Sequence, residues 1–228
     1  MAEDREPTAE VDPWLGDARL PEFFGAAWPA ISRFHDLLRD EGVLRGLVGP
    51  REVPRLWERH LLNSAAVVPF LPERGRIVDV GSGAGLPGVV VAAMRPEAEV
   101  VLLEPMERRV DWLREVVATL GLDNVVVTRG RAEELHGAWE AAAVTARAVA
   151  PLDRLYEWAL PLLGTGGLLV ALKGARAQDE VAAAARTGAR LGAGPARVLS
   201  AGTLEGAEQT TVVVVVRESV RAPRTGRR

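Results

Sequence analysis

The sequence predicts an α/β fold: a mostly parallel, seven-stranded sheet with an antiparallel C-terminal hairpin, preceded by a helical N-terminal extension. Three observations predict it. Apolar residues recur at helical spacing over residues 21–70, short β-branched runs alternate with helical stretches from residue 75 onward, and two late strands follow with no long helix between them. Strands alternating with helices imply βαβ units and a parallel sheet covered on both faces.

Residues 1–20 are acidic with scattered Pro and Gly, and are expected to form a flexible arm. Residues 21–74 form the helical extension. Phe23, Phe24, Ala27, Trp28, Ile31, Phe34, Leu37 and Leu38 make one helical face, and a second helix is expected to start near Val53-Pro54 and run through Trp57 and His60 to Ser64. Residues 75–217 are the α/β domain. Arg76–Val80, Val100–Leu103, Val125–Val127, Val144–Arg147 and Gly167–Leu172 read as strands, with helices over Leu86–Met94, Met106–Leu120 and Leu152–Leu163. Gly121 is placed to cap the second of these helices in the left-handed conformation. Val198-Leu199 and Thr210–Val216 supply the hairpin, and residues 218–228 are expected to be a disordered basic tail. The tryptophans at 28, 57, 112, 139 and 158 fall at core-like positions and read as packing residues.

Composition removes several chemistries. The 228 residues include no cysteine, which excludes disulfides, thiolate metal sites and a Cys nucleophile, and no metal is expected. The N-terminus is acidic rather than apolar and no apolar run approaches a membrane span, so no membrane association and a cytoplasmic location are expected. Net charge is −3, but residues 217–228 hold five Arg against one Glu; they carry +4 and leave −7 on the rest. Lys173 is the only lysine.

The segment Asp79-Val80-Gly81-Ser82-Gly83-Ala84-Gly85-Leu86-Pro87-Gly88 follows the first strand and opens a helix. Gly83, Gly85 and Gly88 formally satisfy the dinucleotide pattern G-x-G-x-x-G. The better register is Gly81-x-Gly83-x-Gly85, directly after the strand, with Asp79 two residues before it. An acid there suits S-adenosyl-L-methionine, whose sulfonium and amino groups are cationic and which has no pyrophosphate. Glu104, at the end of the second strand, can accept from both ribose hydroxyls of a nucleoside. After the third strand, Ala132 and Glu133 are placed to meet an adenine edge. Gly81, Gly83, Glu104, Ala132 and Glu133 are therefore expected to form the cofactor site of a class I, Rossmann-like methyltransferase. The fourth strand ends in Arg147-Ala148-Val149-Ala150-Pro151 rather than the Asn/Asp-Pro-Pro-aromatic run that accepts from an exocyclic amine. With no Cys to attack a pyrimidine, the acceptor is an atom nucleophilic as it stands: a ring nitrogen, an oxygen or a small molecule. Arg147, at the end of the fourth strand, is expected to position the substrate, and His60 to dock the helical extension over the cofactor site.

Arg59-His60-x-x-Asn63-Ser64, the Asp79–Gly88 turn, Arg131-Ala132-Glu133, Arg147-Ala148-Val149-Ala150-Pro151-Leu152 and Leu172-Lys173-Gly174 occur in that order. Together they resemble the glucose-inhibited division protein B family, the guanine-N7 methyltransferases of 16S rRNA. The resemblance spans residues 30–216. It implies S-adenosylmethionine-dependent methylation of N7 of a guanine in the 530 loop (guanine 527), with 16S rRNA in the 30S subunit or an assembly intermediate as partner, cofactor contacts at Gly81, Leu86, Glu104, Ala132, Glu133 and Arg147, and an RNA-backbone contact at Lys173. Two stretches depart from the family pattern. Arg45–Pro50 stands where many members carry Asn-Leu-Thr, and Glu208-Gln209-Thr210-Thr211 lacks the basic residue many carry before the last strand. A small-molecule O- or N-methyltransferase would share the same cofactor half.

Overall fold

The computed structural model describes residues 11–138 and 140–219. In chain order the elements are α1 (Arg19–Phe24), α2 (Trp28–Glu41), a 3-10 turn (Pro50–Arg55) running into a π-helix (Leu56–Leu62) and α3 (Asn63–Ala65), then β1 (Gly75–Val80), α4 (Gly88–Met94), β2 (Ala98–Glu104), α5 (Glu107–Leu120), β3 (Val125–Arg129), β4 (Ala141–Arg147), α6 (Leu152–Ala159), β5 (Leu163–Lys173), α7 (Ala177–Leu191), β6 (Arg197–Ala201) and β7 (Thr210–Val216). The seven strands form one sheet in the order β3-β2-β1-β4-β5-β7-β6. β1 to β5 are parallel, and β7 runs antiparallel to both β5 and β6. The predicted hairpin is present, with its second strand inserted next to β5 and its first strand at the sheet edge.

Both faces of the sheet are buried, and the strand sequences show why. Adjacent residues point to opposite faces. Ile77, Val100, Leu102, Ala143 and Val170 join the core beneath α2, α4, α5 and the N-terminal extension. Their neighbours Val78, Val101, Leu103, Val144 and Leu169 join a second core beneath α6 and α7. Unbroken apolar runs such as Val100–Leu103 are what a parallel sheet covered on both sides requires. α5 ends as expected, with Gly121 left-handed at φ 63°.

The N-terminal extension is packed from its start. Of the arm expected over residues 1–20, residues 1–10 lie outside the described residues, and residues 11–20 are anchored rather than loose. Asp12 is buried, its carboxylate accepting from the N–H of Trp14 (3.0 Å) and of Trp57 (2.9 Å). Trp57 lies between His35 (4.6 Å) and Trp28 (5.5 Å) in near-parallel ring contacts. The acidic composition that suggested an arm thus includes one carboxylate that caps the π-helix. The expected continuous helix from Val53 is instead a 3-10 turn and a π-helix, with Pro54 inside the 3-10 turn. Pro54 has no N–H to donate, so the bonding of a regular helix is interrupted where the tight turn gives way to the wide one.

α7 is absent from the sequence reading. Its buried face is Ala177, Ala184 and Gly188, with Val181 and Leu191 packed against the same core, so its apolar stripe is made mostly of small residues. Small residues let it approach α6 closely: a Cβ on Gly188 would come within 2.9 Å of the Tyr156 ring. Arg217, the last residue of the expected α/β domain, is one of the five arginines in the basic stretch 217–228. It is buried, and its guanidinium donates to the Leu163 carbonyl. Residues 220–228, with the four remaining arginines, lie outside the described residues, as does Trp139.

Gly88 opens α4 directly against β1 and β2. A Cβ there would stand 2.3 Å from Leu102 Cδ2, 2.5 Å from Asp79 Oδ2 and 2.9 Å from Asp79 Cβ. The last of these atoms belongs to the strand and cannot retreat, so Gly88→Ala is expected to lower unfolding free energy by about 1–3 kcal/mol. Urea denaturation checks this; an unchanged midpoint would show that the helix simply shifts outward.

Candidate functional site

The glycine turn leaves β1 and is held from beneath by two acids. Gly81, Gly83 and Gly85 have φ of 71°, 56° and 105°, a conformation side chains rarely tolerate. The Gly81 N–H donates to Leu103 O (2.8 Å), the Gly83 N–H to Glu104 Oε2 (2.9 Å), and the Trp112 indole to Ala84 O (2.9 Å). The Asp79 carboxylate accepts the Gly88 N–H at 3.0 Å. These positions separate the two candidate registers. Gly81 and Gly83 line a cavity of about 510 Å³, whereas Gly85 and Gly88 face the protein interior. Only one glycine of the dinucleotide pattern thus reaches the cavity.

The cavity also takes Leu86, Glu104, Ala132, Glu133 and Arg147 in its wall, so all seven residues expected to form the cofactor site come together. The topology explains this. β1, β2, β3 and β4 are contiguous and parallel, and each of these residues lies in or just after the carboxyl end of a strand, where ligands bind in open α/β sheets. Glu104 is buried and accepts from the N–H groups of Gly83 and Met106 (3.0 Å), which fixes its carboxylate in the cavity wall. Glu133 lies in the short 3-10 helix Ala132–Leu135 and is exposed.

Asp79 departs from expectation. It was placed opposite a cationic cofactor, but it is fully buried beneath the turn and is not part of the cavity wall. Burial pushes its carboxyl up to about 7, against the pull of the Ser82 side chain, the Gly88 N–H and Arg147. Its role in this structure is to fasten the start of α4.

A second, wider cavity of about 970 Å³ adjoins the first, and Arg147, Ala148 and Val149 line both. Ala148 has φ 53°, the one non-glycine residue with positive φ among the described residues. Such strain is held only where surroundings over-determine the backbone. Lys173 and Glu180 do so here. Lys173 Nζ donates to Ala150 O (2.6 Å) and to Glu180 (2.8 Å), and Glu180 also accepts the Leu152 N–H (2.9 Å). Lys173 is therefore not a solvated cation: two of its three N–H donors are committed, and it lines the second cavity while tying down the loop after β4.

Arg147 leaves the end of β4 and reaches the N-terminal extension. Nη1 donates to Arg59 O (2.9 Å) and Nη2 to His60 Nδ1 (3.0 Å). Burial lowers its pKa to about 10, so it stays protonated at neutral pH. His60 Nε2 lies 3.0 Å from Glu52. Burial first, then the Arg147 charge, hold His60 down to about 4, so its ring is neutral. A guanidinium only donates, so Nδ1 accepts and the proton resides on Nε2, donated to Glu52.

Several contributors carried no signal in the sequence. Leu47 reaches the first cavity from the loop after α2, and Met106 and Arg109 from the start of α5. Trp158, read as a packing residue, also borders that cavity. Glu52 sits in a proline-bounded turn that no motif marks.

The family model described as "GidB: rRNA small subunit methyltransferase G" matches residues 28–206. A protein of Thermobifida fusca named ribosomal RNA small subunit methyltransferase G is 54% identical over 194 residues, covering 85% of this chain and 82% of its own. One of the same name from Streptomyces coelicolor is 48% identical over 231 residues, covering 96% of both. Among solved structures, a SAM-dependent O-methyltransferase from Thermotoga maritima aligns with TM-score 0.57 at 14% identity, over 75% of this chain and 72% of that one. A ribosomal protein L11 methylase from Lactobacillus delbrueckii aligns with TM-score 0.54 at 14% identity, over 69% and 77%. The two structures share the fold.

The buried Asp79 sets a pH dependence. Its folded value lies above the ordinary 3.8, so its contribution to stability is fully present below that pH and is lost as pH rises through about 7. Asp79→Asn keeps an acceptor for Gly88 and removes the titration. The variant should lose less stability than the parent between these limits in urea titrations at stepped pH; parallel curves would show that Asp79 does not titrate in that window.

Proposed function

The chain belongs to the rRNA small subunit methyltransferase G family, and from that premise we propose that it transfers a methyl group from S-adenosylmethionine to N7 of guanine 527 in 16S rRNA, acting on the 30S subunit or an assembly intermediate. The observation that carries this reading is the place of Arg147, in the wall common to the glycine-turn cavity and the wider cavity beside it.

The first cavity fits the cofactor. Its floor is glycine backbone without Cβ atoms at Gly81 and Gly83, and the Glu104 carboxylate lies in its wall as an acceptor for vicinal ribose hydroxyls. Ala132 and Glu133 would border the adenine, and Leu86 packs beside the turn. When bound, S-adenosylmethionine supplies an electrophilic methyl on a sulfonium.

Guanine N7 has a free lone pair at neutral pH, so no residue is required to remove a proton before attack. The task left to the protein is alignment of the acceptor with the methyl carbon, catalysis by proximity and orientation. Arg147 suits it. Two of its five N–H donors are committed to Arg59 and His60, and three remain to hold guanine O6 or a phosphate. Its charge would not stabilise a purine ring becoming cationic, so its role is positioning. The wider cavity has room for a base flipped from RNA, and the loop tied by Lys173 forms its rim.

Charge also bears on the substrate. The wider cavity is lined by Glu52, Glu58, Asp179, Glu180 and Glu208 against Arg59, Arg147, Lys173 and Arg176. So balanced a surface gains little from counterion release on bare RNA, which favours a folded particle that offers further contacts.

Mapping 7-methylguanine in 16S rRNA from cells with and without the protein tests the reading directly. Loss of the mark at guanine 527 is expected; an unchanged map would overturn it and favour a small-molecule acceptor. Arg147→Ala should lower methyl transfer to 30S subunits by about 100-fold or more while S-adenosylhomocysteine titrates by calorimetry much as before. Transfer to 30S subunits should exceed transfer to an oligonucleotide of the same loop, and equal rates would contradict the need for a particle.

A further inference from the structure

The contact that joins the extension to the sheet runs through His60, the residue expected to dock the extension there. The guanidinium at the end of β4 is held by the π-helix of the N-terminal extension, and a third group stands behind it. Glu52, from the 3-10 turn, accepts the His60 Nε2–H at 3.0 Å, and His60 Nδ1 accepts from Arg147 at 3.0 Å. We propose that Glu52 and His60 act together as positioning residues for Arg147, fixing its guanidinium at the junction of the two cavities.

The chemistry requires this order. A neutral imidazole has one donor and one acceptor, and which nitrogen carries the proton is set by what the other side offers. Glu52 offers only acceptors, so it draws the proton to Nε2 and leaves the Nδ1 lone pair for the guanidinium. Without Glu52 the ring is free to adopt the Nδ1–H tautomer, which would present a donor to a donor. A protonated ring would place a second cation against Arg147. The charged groups facing this ring are Glu52 and Arg59 from the extension and Arg147 from the sheet, with Asp79 acting on Arg147 from β1. The side chain of His60 is 12% exposed, so water competes little for its nitrogens. The Arg59 carbonyl takes the other arm of the fork at 2.9 Å. An arginine held at both Nη atoms loses most of its rotamer freedom before substrate arrives, as a preorganised site requires. The π-helix contributes by presenting Arg59 and His60, consecutive residues, to one guanidinium.

This inference rests on the reading that Arg147 positions the substrate, and the test separates the two. Methyl transfer to 30S subunits is measured for His60→Ala, His60→Asn, Arg147→Ala and the double variant His60→Ala/Arg147→Ala, with S-adenosylhomocysteine calorimetry beside each. His60→Ala should lower kcat by about 10- to 100-fold with little change in cofactor affinity. His60→Asn, whose Oδ1 stands near the place of Nδ1, should recover most of the loss. The double variant should be no worse than Arg147→Ala alone, because the two groups act through one contact. Independently of any substrate, the ¹⁵N shifts of His60 should report a neutral ring protonated at Nε2, and Glu52→Ala should shift that signature.

Full turnover in His60→Ala beside an inactive Arg147→Ala would overturn the positioning role and leave the function standing. Full turnover in Arg147→Ala would overturn the positioning of substrate by Arg147, and with it this proposal, whereas no methyl transfer to 30S subunits by the parent would overturn the function itself. Losses that multiply in the double variant, or an Asn no better than Ala, would show that His60 acts apart from Arg147. Should His60→Ala fail to fold, the His60 tautomer in the parent and in Glu52→Ala decides the matter, and an Nδ1–H or doubly protonated ring in the parent would overturn the proposal.

Discussion

The glycine turn after β1 is built from backbone that gains nothing from side-chain packing, and its shape depends on two carboxylates at neighbouring strand ends. Glu104 takes the Gly83 N–H and Asp79 takes the Gly88 N–H. Both acids are buried, and both partners are N–H groups that a turn entering a helix would otherwise leave unsatisfied. The parallel register places Asp79 beside Leu102, two residues before Glu104, so the acids reach the turn from adjacent strands. The cavity above exists because this turn stays open. The division of labour is visible in the two acids: Glu104 extends into the cavity wall, whereas Asp79 fastens the helix start and remains below it.

The N-terminal extension is part of the same construction. Asp12 caps the π-helix through the Trp57 N–H, Trp57 packs between His35 and Trp28, and the next turn carries Arg59 and His60 to the end of β4. Asn63 reaches Thr210 at the start of β7 with a 2.9 Å hydrogen bond. The extension therefore touches the sheet at two strand ends flanking the wider cavity, and contributes wall as well as packing.

Legibility followed the physics of each signal. β1 to β5 were readable because buried parallel strands demand unbroken β-branched and aliphatic runs. The turn was readable because positive φ at three alternating positions calls for glycine. α7 was not, because its packing face is mostly alanine and glycine, and the alanines Ala182, Ala183 and Ala185 outside that face blur the contrast that Val181 and Leu191 provide. The π-helix was not, because its residues fit an ordinary helix equally well; the wide turn is set by what it packs against. Lys173 illustrates a different limit. Its place at the end of β5 was correct, but whether its ammonium faces a ligand or Glu180 depends on α7, a helix the sequence did not reveal.

What the sequence determined by itself was the parallel sheet, the register of the glycine turn and the part of the first cavity built by Gly81, Gly83, Glu104, Ala132 and Glu133, since these follow from strand periodicity, backbone conformational demands and the convergence of strand ends in an open α/β sheet. What only the tertiary structure decided were the partners of the charged side chains. Asp79 turned inward, Lys173 paired with Glu180, Arg217 became buried, and Arg147 bound a neutral histidine held by Glu52. A charge in a sequence specifies only that a partner is needed once it is buried; which group answers is fixed by elements distant in the chain, here 87 residues apart for His60 and Arg147, that meet only in the folded protein.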